Sequence, residues 1–515
     1  MNGAECLLRT LVGNGLDLCL MNPGTSEMQF VSALDRVPGM RPVLCLFEGV
    51  CSGAADGYAR MTRRPAATLL HLGPGLGNGL ANFHNARKAR SPVVSIVGEH
   101  ATRHLRHDAP LTADVAAFAR TVSGCVRVLE SAGGMGAAAS AAVAAAYGPP
   151  GQVSTLIVPA DFSWSEAGAP GPAAAPPAPC APGAATIQAA ARILRSGRPV
   201  GLYLNGGTLF GRGLEAAGRL AAAGARVVSD RFAARSAGGR GRFGPRRIPY
   251  FPEPAEALLA GLETLILVEA APPVSFFAYP GRRSELAPEN CRMFVLASPA
   301  EDGTAALEAL AEEIGAPPFA LGPAPATPCL PPAGPLTAEA VGRAVAALIP
   351  EGAIISDETV SSSEQVWPHL GTAAPHDHLP VTGGSIGQGL PVALGAALAC
   401  PDRKVVALEA DGSGMYTLQS LWTMARERLD VVSVILANRR YRILDIEIRR
   451  TGATEIGRVA NEMIDIGSPA LDWVKLAEAQ GVPATRAGTA EEFTAQFRAA
   501  MAESGPRLIE AVLPA

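Results

Sequence analysis

Two short apolar runs, 405–410 (VVALEA) and 431–437 (VVSVILA), flank a segment in which Leu418, Leu421, Trp422 and Ala425 recur at helical spacing. A strand, a helix and a strand joined this closely make a right-handed crossover with parallel strands, and parallel sheets are covered by helices on both faces. The stretch therefore commits its surroundings to an α/β layer architecture. It also puts Asp411 and Asn438 just past the carboxyl ends of the two strands, facing one crevice.

A carboxylate, an amide oxygen and a nearby main-chain carbonyl are hard oxygen ligands. They are too few to cage calcium but suit magnesium, which completes its octahedron with water and phosphate oxygens. Gly412 and Ser413 open the following helix and let N–H groups approach a phosphate. Asp-Gly-Ser alone reads equally well as a capped turn; an Asn at the next strand end is what turns it into a metal and phosphate site.

At 515 residues the chain is too long for one core. Two stretches dominated by Pro, Ala and Gly, 167–185 and 316–334, read as exposed linkers. They leave three parts, 1–166, 186–317 and 335–515, each alternating strands with helices. A net charge of -4 argues against nucleic acid or an anionic membrane as partner. No apolar run approaches the roughly 20 residues that span a bilayer, and residues 1–15 lack a signal pattern. Nine scattered cysteines without a C-x-x-C point to reduced thiols in a cytoplasm.

In the first part, a strand over 15–21 ends at Asn22-Pro23-Gly24-Thr25-Ser26-Glu27, a turn whose following helix is expected to be capped by Thr25 or Ser26. A strand over 42–47 ends at Glu48, ahead of the small-residue helix GVCSGAADGYAR. A strand over 67–71 runs into 72–79, read as a glycine loop with a helix beginning near Asn78. Taken alone, Glu48 is an acid favoured by a helix dipole, and His71 is either a structural imidazole or a proton relay. His100, His104 and His107 crowd one loop without a second set of ligands.

The stretch 411–438 resembles the diphosphate-binding motif of thiamine diphosphate (ThDP) enzymes, which opens with GDG and closes on a pair of asparagines. Ala410 and Ala437 replace the first Gly and the first Asn here. The three-part order is similar to that of the acetolactate synthase and benzoylformate decarboxylase group, and the resemblance covers nearly the whole chain. It implies three doubly wound parallel-sheet domains: pyrimidine-binding, middle and diphosphate-binding. It implies magnesium held by Asp411, Asn438 and the main-chain carbonyl of Arg440. Glu48 becomes the acid that shares a proton with the cofactor's aminopyrimidine, and a carboxyl among Leu46, Phe47 and Val50 is expected to be poorly hydrated.

By the same resemblance Asn22, Pro23, Gly24, Gly73 and Asn78 belong to the cofactor's pyrimidine side, and Glu358, Ser361, Gly412 and Ser413 to its diphosphate side. The Gly384 carbonyl would accept from the cofactor's amino group, with Ile386 as the apolar wedge that bends it. Thr25 and His71 match active-site positions of the decarboxylases. The loop 271–281 carries Phe277 or Ala278 where those enzymes have a second histidine, leaving an apolar pocket near Phe276 and Phe277. The middle segment GLYLNGG, 201–207, lacks G-x-G-x-x-G spacing and leaves FAD open.

The activity implied is ThDP- and magnesium-dependent decarboxylation of a 2-oxo acid, with aldehyde release or carboligation, acetolactate synthase-like. Alternatives are an aromatic 2-oxo acid (benzoylformate) decarboxylase, a flavin oxidase of the pyruvate oxidase type, and a non-catalytic protein that kept the fold. Because Glu48 and the metal ligands meet across two chains in the family, a homodimer or homotetramer is implied.

Overall fold

A computed structural model of the protein describes residues 1–319, 332–453 and 456–514. The first sheet is built from β1 (Leu18–Asn22), β2 (Arg41–Leu44), β3 (Ala66–Leu70), β4 (Val93–Glu99), β5 (Cys125–Val128) and β6 (Val153–Pro159). Its strands are parallel in the order β2-β1-β3-β4-β6-β5. Every residue of β4 and β6 is buried, as expected of strands with helices on both faces.

The middle sheet comprises β7 (Val200–Leu204), β8 (Arg226–Ser229), β10 (Arg246–Arg247), β11 (Thr264–Val268) and β12 (Arg292–Ala297), parallel in the order β10-β8-β7-β11-β12. The third holds β13 (Ile354–Glu358), β14 (His376–Pro380), β15 (Val405–Ala410), β16 (Val431–Ala437), β17 (Ala484–Ala487) and β18 (Arg507–Val512). They are parallel in the order β17-β18-β16-β15-β13-β14. The three parallel-sheet α/β layers match the fold expected from the sequence. One strand departs from it: β9 (Ser236–Gly238) leaves the middle segment and pairs antiparallel with β14 at the edge of the third sheet.

The stretch 167–185 is exposed and mostly without regular structure, as its composition suggests, but residues 171–174 are pinned to the first domain. Thr10 Oγ1 accepts the Gly171 N–H at 3.0 Å, Asn14 Oδ1 accepts that of Ala174 at 2.6 Å, and Ser140 Oγ donates to the Pro172 carbonyl at 2.7 Å. Proline-rich backbone cannot pair with itself, so side chains of the first domain satisfy it. Of the second such stretch, residues 320–331 lie outside the described residues.

First and third sheets meet through helices Glu48–Thr62 and Gly389–Ala399, which explains the small residues of GVCSGAADGYAR. A β-carbon on Gly57 would lie 2.2 Å from the Val392 carbonyl oxygen, and one on Gly395 1.9 Å from that of Ala54. Beside this contact Arg60 and Asp56 form a 2.6 Å ion pair with both side chains fully buried. Arg60 also donates to the Pro380 carbonyl (2.8 Å) and Thr382 Oγ1 (2.9 Å), which satisfies the guanidinium across the junction.

Candidate active site

Glu48 is the first residue of helix Glu48–Thr62 and 6% exposed. Asn78 Nδ2 donates to its Oε2 at 2.9 Å, and a β-carbon on Gly75 would lie 3.2 Å from its Oε1. Poor hydration therefore comes from burial against the next helix rather than from Leu46, which is exposed. The expected glycine loop is in fact the first turns of helix Leu72–Ala89, which begins directly after β3. Leu72 takes a left-handed φ of 51° to make the turn, and Gly75 N–H donates to the His71 carbonyl at 2.9 Å. Glycine disfavours helix in isolation, but here the missing β-carbons admit Glu48 at Gly75 and Ala113 at Gly73. Asn78 consequently sits in the second turn, within reach of Glu48.

Beside this pair lies a residue that sequence reasoning passed over. His71 Nδ1 is 2.7 Å from Glu27 Oε2, which also accepts the Gly24 N–H at 2.8 Å. Glu27 is 3% exposed; burial pushes its carboxyl up, while His71 and the Gly24 N–H pull it back. Neither Thr25 nor Ser26 caps the turn as expected. Glu27 reaches back to Gly24 instead, and Thr25 opens the turn as an exposed residue. The His71 ring lies on Gly24, where a β-carbon would be 2.3 Å from the ring. Asn22 ends β1 opposite Leu70, so Asn22, Pro23, Gly24 and His71 border one strand-end crevice.

At the other cluster, β15 and β16 are parallel neighbours, and Asp411 and Asn438 follow their carboxyl ends as the sequence predicted. Asp411 is 3% exposed and accepts the N–H of Gly412 (2.9 Å) and Arg439 (2.6 Å). Burial lifts its carboxyl to about 6, a shift that a cation alongside would reverse. Asn438 Oδ1 accepts the Arg440 N–H at 3.0 Å, and the Arg440 carbonyl accepts that of Arg442 at 2.8 Å, leaving each oxygen a second lone pair. Among the described residues no group of three or more His, Cys, Asp or Glu is assembled for a metal; the set here mixes a carboxylate, an amide oxygen and a main-chain carbonyl. That donor set fits magnesium. Gly412 and Ser413 are buried in the one-turn helix Asp411–Gly414.

The predicted diphosphate segment divides. Ser361 is partly exposed in the turn Val360–Ser362, whereas Glu358 is turned inward and 1% exposed. Its carboxylate accepts the N–H groups of Gly387 (2.8 Å) and Gly389, fastening the loop that carries Ile386. Helix Leu72–Ala89 holds the same loop from the first domain. Asn85 Nδ2 donates to the Ser385 carbonyl (2.7 Å), Asn85 Oδ1 accepts the Ser385 N–H (3.2 Å), and Asn82 Nδ2 donates to the Gly387 carbonyl (3.2 Å). Gly384 has φ +79°, and Phe276 packs so closely on it that a β-carbon would lie 2.4 Å from the ring. Phe276 in turn touches Phe232, Tyr250 and Phe277, giving the apolar wall expected near 271–281.

Three parallel-sheet domains with buried acids at the strand ends define a class of α/β cofactor enzymes. A family model described as "Thiamine pyrophosphate enzyme, N-terminal TPP binding domain" matches residues 1–119, and "Thiamine pyrophosphate enzyme, C-terminal TPP binding domain" matches 360–511. A Mycobacterium tuberculosis protein provisionally described as acetolactate synthase large subunit IlvX is 50% identical over 100% of this chain and 99% of its own. Benzoylformate decarboxylase of Pseudomonas aeruginosa is 31% identical over 96% of each. The solved structure of a Rhodococcus jostii ThDP-dependent 4-hydroxybenzoylformate decarboxylase superposes with a TM-score of 0.87 at 26% identity, covering 100% of this chain and 99% of that one. The chain belongs to the thiamine pyrophosphate enzyme family, among its 2-oxo acid decarboxylases and carboligases. No described helix is long and apolar enough to cross a membrane.

Proposed function

We propose that the chain is a ThDP- and magnesium-dependent decarboxylase of 2-oxo acids that releases an aldehyde or joins the product to a second carbonyl compound. The observation that carries this is the buried Glu48 carboxylate, fixed by Asn78 beside the His71–Glu27 pair. When bound, ThDP supplies a carbon nucleophile and an electron sink for decarboxylation. Glu48 holds or moves a proton at the aminopyrimidine ring.

Asp411, the Asn438 amide oxygen and the Arg440 carbonyl would hold magnesium, with Gly412, Ser413 and Ser361 on the diphosphate oxygens. Ile386 and the Gly384 carbonyl would orient the cofactor, while Asn22, Pro23, Gly24 and Gly73 border its pyrimidine side. With His71 Nδ1 donating to Glu27, the other ring nitrogen is free to exchange a proton with the reacting group. Thr25 contributes a hydroxyl at the same rim. Phe276 favours a substrate with an apolar or aromatic side chain, the second reading beside the acetolactate synthase-like one.

The Glu48 and Asp411 clusters belong to different sheets, and we place them together across two copies of the chain, as a homodimer or homotetramer. The eight described cysteines are free thiols, which suits a cytoplasmic setting.

The test separates activation from later proton transfer. Glu48→Gln should bind ThDP yet slow hydrogen–deuterium exchange at its reactive carbon. His71→Ala should spare that exchange and slow turnover of pyruvate, benzoylformate or a longer 2-oxo acid by about 10² to 10⁴-fold. Wild-type exchange in Glu48→Gln overturns the assignment of Glu48, and carbon dioxide from none of these acids overturns the substrate class.

A further inference from the structure

The middle sheet reverses its winding between β7 and β11, and the turn after β7 reads Asn205-Gly206-Gly207. Open parallel sheets hold dinucleotides at such a switch point, with glycine N–H groups and a helix N-terminus on the pyrophosphate. In this chain that cradle is already filled. Glu269, the first residue past β11, accepts the Gly207 N–H at Oε2 (2.8 Å) and the Gly303 N–H at Oε1 (2.9 Å). Gly303 is the first residue of the 11-residue helix Gly303–Glu313.

The cradle is shaped to the carboxylate. A β-carbon on Gly206 would lie 2.0 Å from Oε2, and one on Gly303 2.5 Å from Oε1. Glu269 itself has φ +52°, a left-handed conformation that a non-glycine residue keeps only where its surroundings hold it. Asp230, just past β8, takes Asn205 Nδ2 at 3.1 Å, so a second acid faces the same crevice. Burial pushes both carboxyls up, and an incoming pyrophosphate would add like charge. The countercharge comes from the first domain. Arg90, which ends helix Leu72–Ala89, donates Nη1 to the Glu269 carbonyl at 2.8 Å.

We infer that Glu269 is a built-in occupant of the pyrophosphate cradle, so that the middle domain takes neither FAD nor another dinucleotide and is docked to the first domain through Arg90. The flavin that the sequence left open thus does not fit the residues present.

The ThDP–magnesium holoenzyme is titrated with FAD and with ADP by calorimetry, and flavin absorbance is read after gel filtration. No flavin should be retained, and any Kd should be weaker than about 1 mM. One flavin retained per chain, or a micromolar Kd, overturns the inference whatever the substrate proves to be. Glu269→Gly relieves the backbone, so a melting temperature lowered by several degrees reports the lost carboxylate. ADP should then raise the melting temperature of the variant and leave that of the wild type unchanged. Should the variant not fold, Glu269→Gln must still melt below wild type, because the two N–H groups bond to different carboxylate oxygens and the amide replaces one of these with an NH2 donor. Wild-type melting in the variant tested would show that Glu269 does not hold the cradle.

Discussion

Glu409→Gln is expected to stabilise the protein above neutral pH. Glu358 and Glu409 stand directly opposite each other on β13 and β15 and are 1% and 0% exposed. Glu358 accepts two N–H groups, but neither Glu409 oxygen has a donor. A β-carbon on Gly389 would lie 2.1 Å from Glu409 Oε2 and 3.1 Å from Glu358 Oε2, so both carboxyls crowd one glycine. Two such groups coexist only by retaining a proton between them.

Burial lifts Glu358 from 4.5 to about 7, and burial with Glu358 alongside drives Glu409 well above the carboxylate range. The folded state therefore binds protons that the unfolded chain releases, and stability falls as pH rises from about 4.5 through 7. The Glu358 shift alone corresponds to about 3 kcal/mol. A glutamine at 409 supplies a permanent N–H to Glu358 and removes the second ionisation. Melting temperatures from pH 5 to 8 should fall less steeply in Glu409→Gln than in wild type, with the variant more stable at pH 8 by about 1–3 kcal/mol. Parallel pH profiles, or a variant less stable at pH 8, would refute the shared proton.

Gly98→Ala would place its β-carbon 1.7 Å from Glu27 Oε1 and push that carboxylate off His71. Turnover should drop about tenfold or more with ThDP affinity retained, as seen in steady-state kinetics and cofactor titration. Arg60→Ala leaves Asp56 buried without its countercharge and should cost about 3–5 kcal/mol in urea denaturation. A loss below about 1 kcal/mol would mean that water reaches the site. Asp411→Ala should abolish magnesium-dependent retention of ThDP on dialysis, and unchanged retention would remove Asp411 from the metal site.

What was legible in the sequence was what depends on chain-local chemistry. Strands buried on both faces leave short apolar runs, so the carboxyl ends that carry Asp411 and Asn438 could be located to the residue, whereas the strand ahead of Glu48 stops at Leu44, three residues before its expected end. The helix from Leu72 was missed because four glycines in eight residues have the composition of a loop; only the neighbours they admit explain them. β9 is three residues long, and no pattern marks its departure to another sheet. Glu27 left one readable signal, an acid three residues after Gly24 at a helix start, which is the spacing of a capping box.

Three of the unread features have one physical form. Glu27 lies against Gly98, Glu269 against Gly206 and Gly303, and Glu409 against Gly389, each carboxylate filling the space where a β-carbon would stand. Burying a carboxyl is unfavourable unless N–H groups or a shared proton meet it. Close approach to backbone requires the glycine, so acid and glycine constrain each other although 20 to 71 residues separate them, from Gly389 and Glu409 at one extreme to Glu27 and Gly98 at the other. Each glycine alone reads as a turn or a flexible link, and each acid alone as a solvated end of an element. Their meaning lies in the pairing, and pairing is set by sheet order. That is why the acid and glycine at the middle domain's switch point become a closed cradle only once β11 is seen beside β7.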